Sequence, residues 1–219
     1  MQALTPRMTQ VRLVDENLHG LNAVPGQTVK IYVTDPGTGE PVSRDYTVRD
    51  YVAAGPSLDI DFVLHGAGPA VDWARTVQPG ESLEFLGPSG RYRPDPTADW
   101  HLFAGDETAL PAIQAYTEML PSSARAWLYL EIPDAAEQQP IPGRARPTVR
   151  WLHRHDVPAG TSPVLEHAVR AAELPPGRGQ IWIAGHTPTA RRIRAHLLED
   201  RGVDRRAVYV KGYWDRAGR

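Results

Sequence analysis

The chain has 219 residues, with 24 Lys plus Arg, 26 Asp plus Glu and no cysteine. The last of these excludes disulfide scaffolds, thiolate zinc sites, iron–sulfur clusters and cysteine nucleophiles. A formal charge of −2 gives no general attraction to nucleic acid or anionic membrane, and 41% hydrophobic residues suffice for a buried core.

Up to about residue 96 the chain reads as short β runs at 11–14, 28–33, 44–50, 57–65 and 82–86. They are rich in β-branched and aromatic residues, and Gly/Pro clusters at 35–39, 53–56 and 87–90 punctuate them. Such spacing predicts an antiparallel barrel or sandwich, with one helix over 69–77. From about residue 99 strand and helix alternate. Strands are expected at 100–105, 126–132, 148–153, 180–185 and 207–213, and helices at 110–120, 162–174 and 188–201. Alternation of this kind predicts a parallel sheet covered by helices. Thr187 followed by Pro188 reads as a helix N-cap, and Gly202 as its left-handed stop. Residues 133–147 hold four prolines and no periodicity, which predicts an exposed loop. Charge shifts at the same boundary, from net −4 over 1–98 to net +2 over 99–219. Two domains, 1–98 and 99–219, are therefore expected. No signal-peptide pattern opens the chain and no apolar run reaches about 18 residues, so the reading is a cytoplasmic protein without membrane insertion.

Five segments carry candidate chemistry. Arg44, Tyr46 and Thr47 lie in a predicted strand whose period of two puts Arg44 and Tyr46 on one face. A guanidinium fork beside a flat ring suits an anionic, planar ligand; an ordinary surface Arg–Tyr pair has the same letters. Residues 61–74 run strand, Gly-Pro turn, helix, so the N–H groups around Ala70 and Val71 face outward as an anion seat, with His65 at the strand end. The alternative is a plain glycine turn with Trp73 as a core anchor. Residues 104–113 follow the first strand of the α/β half, where doubly wound sheets place ligands. There Asp106 or Thr108 can cap the helix, and capping is the simpler reading. The fourth segment is 183–188, where His186 could contact a nucleotide, though a solvated histidine is the simpler reading; the fifth, 210–214 with Lys211, Tyr213 and Trp214, reads equally as core or as cover for a flat ligand. No Walker loop, Gly-x-Ser-x-Gly elbow, Gly-x-Gly-x-x-Gly fingerprint or helical His pair for a metal is present.

The order of these segments resembles the siderophore-interacting protein family, FAD-dependent ferric-siderophore reductases. The resemblance starts at Leu4, Thr5, Pro6, Arg7 and Met8. It continues through the Asp61–Gly66 and Gly68–Ala70 steps and Trp73, and is most specific at 105–113 and 212–214. It implies a ferredoxin-reductase-like architecture: an N-terminal FAD-binding β-barrel and a C-terminal, Rossmann-like α/β domain. By resemblance Arg44, Tyr46 and Thr47 hold the flavin's phosphate and ring. Val63, Leu64 and His65 line its nucleotide side, Ala70 and Val71 offer N–H groups to the diphosphate, and Thr108 and Ala109 close over the flavin. Three departures stand out. The Gly-Pro turn is one residue shorter than usual. Val71 and Asp72 replace a serine and a basic residue, and His186 replaces a glutamate. They bear on FAD affinity and on the choice of pyridine nucleotide.

The implied activity is reduction of ferric-siderophore complexes by electrons from NADPH or NADH, with a small redox partner protein as another donor. The chemistry is the flavin's, so no catalytic side chain is named. Ferric chelates are often anionic. Lys30, Arg49 and Lys211, then Arg91 and Arg93, are the cations expected to meet them, with Lys30 first. The alternatives are a general flavin or quinone reductase on the same fold, and a non-catalytic flavin- or siderophore-binding module.

Overall fold

In the computed structural model, which describes residues 1–216, Met1–Tyr92 pack as one unit and the chain from Arg93 as another. The first unit contains β1 (Gln2–Thr5), β2 (Met8–Val14), β3 (Thr28–Thr34), β4 (Pro41–Val52), β5 (Ser57–Val63), α1 (Pro69–Thr76) and β6 (Glu84–Ser89). The strands form one antiparallel sheet in the order β1-β2-β5-β4-β3-β6. Alternation fixes the inward set: Val29, Ile31 and Val33 on β3, and Leu58, Ile60 and Phe62 on β5, meet Ala70, Ala74 and Val77 in one core. On β5 the alternate positions are carboxylates, and they too are buried. The register sets Asp59 opposite Arg12 and Asp61 opposite Gln10. Arg12 grips Asp59 with two bonds of 2.7 and 2.6 Å, and Gln10 donates to Asp61 at 2.9 Å. Burial pushes the Asp61 carboxyl up to about 6, against the pull of the Gln10 bond and the Arg49 charge.

β4 is long because it serves two neighbours: residues 41–47 pair with β3 and residues 48–52 with β5, with a register shift between Val48 and Asp50. Sequence pattern misses β1, which is too short to show alternation. It also stops the last strand early. β6 runs to Ser89, through the Gly87–Pro88 step read as a turn; this peptide bond is cis.

The second unit contains β7 (Trp100–Asp106), α2 (Leu110–Met119), β8 (Ala126–Ile132), β9 (Thr148–His153), α3 (Val164–Arg170), β10 (Gly179–His186), α4 (Thr187–Ala195) and β11 (Val208–Trp214). All five strands are parallel, in the order β11-β10-β7-β8-β9. Every residue of the central β7 is buried, and all but the first of β10. That is why both read as continuous apolar runs rather than alternating ones. One face packs against α3 and α4 through Leu102, Ile181, Ile183, Leu165, Val169 and Ile193. On α2, Tyr116 stacks on Phe103 of β7 and meets Trp182 of β10 edge-on.

Four expectations are corrected here. Residues 133–147 are not simply an exposed loop. Glu137 and Ala145 are buried, Gln114 of α2 donates to the Pro140 carbonyl at 3.0 Å, and a Cβ on Gly143 would come within 2.8 Å of the Thr117 carbonyl. The segment covers the outer side of α2, which explains why Leu110–Thr117 are all buried. Helix α3 is shorter than the 162–174 pattern suggests. Helix α4 gives way to a π-helical turn over His196–Asp200, before Gly202 closes it at φ 63°. Thr187 is not the cap of α4; it is the first helical residue, and its hydroxyl donates to the Trp214 carbonyl at 2.9 Å. Among the described residues no helix is long and apolar enough to cross a membrane.

Candidate functional site

In the first unit, β4 carries Arg44 and Tyr46 on one face. Tyr46 is half-buried on Phe62 of β5, ring centroids 4.3 Å apart, and Phe62 in turn meets Trp73 of α1 at 5.6 Å. Burial pushes the Tyr46 phenol up to about 12, opposed by the Arg44 charge. Arg44 is exposed. It donates to the Ser43 carbonyl at 2.8 Å and, among the described residues, has no carboxylate partner. Thr47 is buried and pairs with Thr28. Val63, Leu64 and His65 sit half-buried at the end of β5, where the Leu64 N–H donates to the Arg7 carbonyl at 2.7 Å.

The turn after β5 depends on glycine. Gly66 has φ 69° and Gly68 φ 153°, values that a side chain disfavours. A Cβ at either would meet nothing within 4 Å, so the turn is open. Gly68 caps α1 without a side-chain bond, and Pro69 has no N–H. Helix geometry leaves the N–H groups of Ala70 and Val71 without an intrahelical acceptor.

An exposed guanidinium, a flat half-buried ring and an open turn with free donors suit a flavin dinucleotide, which is planar at one end and anionic along its tail. The residues present fit such a group, with one exception. Asp72 also lies at the turn, accepting from the Gly68 N–H at 3.3 Å and pairing with Arg75 at 3.1 Å.

The cations expected to meet an anionic substrate are dispersed. Lys30 lies opposite Asp45, 3.7 Å away. Strand alternation puts that pair on the opposite face from Arg44 and Tyr46. Arg49 lies near enough to Asp61 to lower its pKa. Lys211, in the second unit, sits over the Tyr213 ring at 5.4 Å.

At the carboxyl end of the parallel sheet, the buried Asp106 carboxylate gathers three segments. One oxygen accepts from the Thr108 N–H at 3.0 Å and from the Thr108 hydroxyl. The other accepts from the His186 N–H at 2.7 Å and the Trp214 indole at 2.9 Å. The His186 ring lies on Trp214, 4.7 Å between centroids, and its Nδ1 meets the Thr189 hydroxyl at 2.9 Å. Burial lowers the His186 pKa against the opposing charges of Asp106 and Asp215. Gly185 has φ 118° and no space for a Cβ against Asp106; Gly212 has none against Thr187. Ala109 is fully buried, and its N–H bonds to the Asp106 carbonyl at 2.9 Å.

Behind Asp106 is a set of charges that sequence reasoning missed. Glu107 and Arg154 form a buried two-bond pair at 2.6 and 2.7 Å, with Glu131 4.0 Å from the same guanidinium. Burial raises the Glu107 pKa against the Arg154 bonds. Burial alone would lower that of Arg154, but the Glu107 bonds and the surrounding carboxylates carry it upward. Burial pushes Glu131 up to about 7, with Arg154 opposing and Asp106 and Glu107 assisting. The one available signal was a glutamate inside the apolar run of β8. Glu131, Asp106, His186 and Thr189 also line a cavity of about 10 Å³. Among the described residues no cluster of three or more His, Asp or Glu could hold a metal ion.

Glu131 makes stability depend on pH. Its folded pKa lies above the ordinary 4.5, so its favourable contribution is complete below pH 4.5 and is lost as pH rises through about 7. Glu131→Gln should remove this slope. Relative to the natural chain it is expected to gain on the order of 3 kcal/mol between pH 5 and pH 8. Urea unfolding at both pH values measures it, and parallel pH profiles for the two proteins would refute it.

Two family models match the chain: residues 98–217 match that of the siderophore-interacting protein, and residues 26–92 that of the siderophore-interacting FAD-binding domain. The chain is 38% identical over 183 residues to the ferric vibriobactin reductase ViuB of Vibrio cholerae, a match covering 81% of this chain and 66% of that one. The chain thus spans just under two thirds of the length of this relative. The crystal structure of a siderophore utilization protein from T. fusca superposes with a TM-score of 0.91 at 37% identity, covering all of this chain and 90% of the other. The ferredoxin reductase of carbazole 1,9a-dioxygenase shares the fold, with a TM-score of 0.69 at 19% identity over 97% of this chain and 63% of the other.

Proposed function

Because the chain belongs to the siderophore-interacting protein family, we propose that it is an FAD-dependent reductase of ferric-siderophore complexes, working in the cytoplasm with NADH or NADPH as donor. The observation that carries this reading is the face built from Arg44, Tyr46 and the open Gly66–Gly68 turn, inside the region that matches the FAD-binding domain. When bound, the flavin supplies the redox chemistry, accepting two electrons as a hydride and passing them singly to ferric iron. The ferrous ion is a poorer match for a siderophore's hard, anionic oxygens, so reduction weakens the complex.

The protein's part is binding and orientation. Arg44 offers a fork to a phosphate, and Tyr46, packed on Phe62, which in turn meets Trp73, offers a flat wall. Thr47, Val63, Leu64 and His65 are the further proposed flavin contacts, while Ala70 and Val71 present main-chain donors. Thr108, proposed as a further flavin contact, is held by the Asp106 carboxylate through its N–H and its hydroxyl. Lys30, Arg49 and Lys211 are the cations for an anionic chelate, Lys30 partly neutralised by Asp45. A small redox protein is a second donor for the same chemistry.

The test is an anaerobic titration. NADH or NADPH should bleach the flavin of the purified full chain, and a ferric siderophore should restore its colour as ferrous iron appears in a chelator assay. Flavin reduction without ferrous release would favour a general flavin or quinone reductase. A chain that neither holds FAD nor can be reconstituted with it would end the proposal. Arg44→Ala is expected to weaken FAD binding about tenfold or more, the value of a charged phosphate contact, with the fold retained. Equilibrium dialysis beside a circular dichroism spectrum checks it.

A further inference from the structure

The Gly66–Gly68 turn contains a charge that works against the ligand proposed for it. Asp72 sits one turn into α1 and reaches back, its Oδ2 accepting from the Gly68 N–H at 3.3 Å. Its Oδ1 holds Arg75 Nη1 at 3.1 Å, while Arg75 Nη2 donates to the carbonyls of Leu64 and Gly66, each at 3.2 Å. The carboxylate therefore occupies one donor of the turn, and the turn's nearest guanidinium is bound to three oxygens of the protein. Both side chains are nearly half exposed, 46% for Asp72 and 40% for Arg75. A surface pair of this kind adds little to stability. Its electrostatic effect on an arriving anion is larger, because the Ala70 and Val71 donors lie within the same helical turn.

We propose that Asp72 sets the affinity and selectivity of this turn for flavins. Acting as an internal anion in the diphosphate seat, it weakens binding of the dinucleotide FAD without affecting a flavin that has no phosphate. The inference rests on the flavin reading above and makes a separate demand. If Asp72 acts through charge, its effect must scale with the phosphate on the ligand and fade with salt. If it only shapes the turn, every flavin must respond alike.

The flavin-stripped full chain, Asp72→Asn and Asp72→Ser are each titrated with FAD and with riboflavin, by quenching of flavin fluorescence, at low and at high salt. Both variants should bind FAD about three- to tenfold more tightly at low salt, the gain shrinking at 0.5 M salt, with riboflavin affinity unchanged. Thermal unfolding should match the natural chain in both. Unchanged FAD affinity, or equal shifts for FAD and riboflavin, would overturn the inference while leaving the flavin reading intact. Failure of all three proteins to bind either flavin would sink that reading and the inference together.

Discussion

Arg154→Met should destabilise the protein by about 3–5 kcal/mol, the cost of leaving a buried charge without its partner. The guanidinium is nearly inaccessible to water, at 5% exposure, and bonds twice to Glu107 with Glu131 close by. Removing it strands Glu107 beside the carboxyl groups of Asp106 and Glu131. The size of the loss should depend on pH, because protonation of Glu131 near neutrality relieves part of the repulsion. Glu107→Met combined with Arg154→Met removes both charges and should recover most of the stability, since a buried ion pair adds little over apolar packing of similar volume. Urea unfolding of natural, single and double variants gives the comparison. A single variant as stable as the natural protein, or a double variant worse than the single, would contradict this account.

Asp106→Ala should cost about 4 kcal/mol and disorder the sheet's carboxyl end. One carboxylate satisfies four donors on three segments, including the main-chain N–H of the buried His186. Its loss leaves these donors unpaired, and Trp214 loses the bond that fixes its indole. Asp106→Asn should cost about half as much, because an amide keeps the shape but turns an NH₂ group toward at least one donor. Tryptophan emission should shift to the red in both, with Trp214→Phe showing how much of the signal belongs to that indole. Emission and unfolding curves unchanged by Asp106→Ala would remove the carboxylate from this role.

Much of this was legible in the chain. The antiparallel half could be read from alternation at β3 and β5, and the parallel half from uniformly apolar β7 and β10 separated by helical spacing. Arg44 and Tyr46 could be placed on one face because the period of a strand is two. Other parts depend on tertiary partners that no local pattern records. The buried face of residues 133–147 exists because α2 lies beneath it. Glu107 and Arg154 are 47 positions apart, and neither stands out in its own segment. Gly87 and Pro88 look like punctuation, yet β3 pairs on either side of them. Asp72 shows up in sequence as a missing positive charge; only the structure shows that it reaches back to Gly68 and occupies Arg75.

The glycines at the ends of β10 and within β11 have a bearing on how such a protein diversifies. At Gly185 and Gly212 any larger residue would strike Asp106 or Thr187. Those strand tips are closed to innovation, and selection for a new ligand has to be written in the neighbouring turns, where side chains still have room to vary.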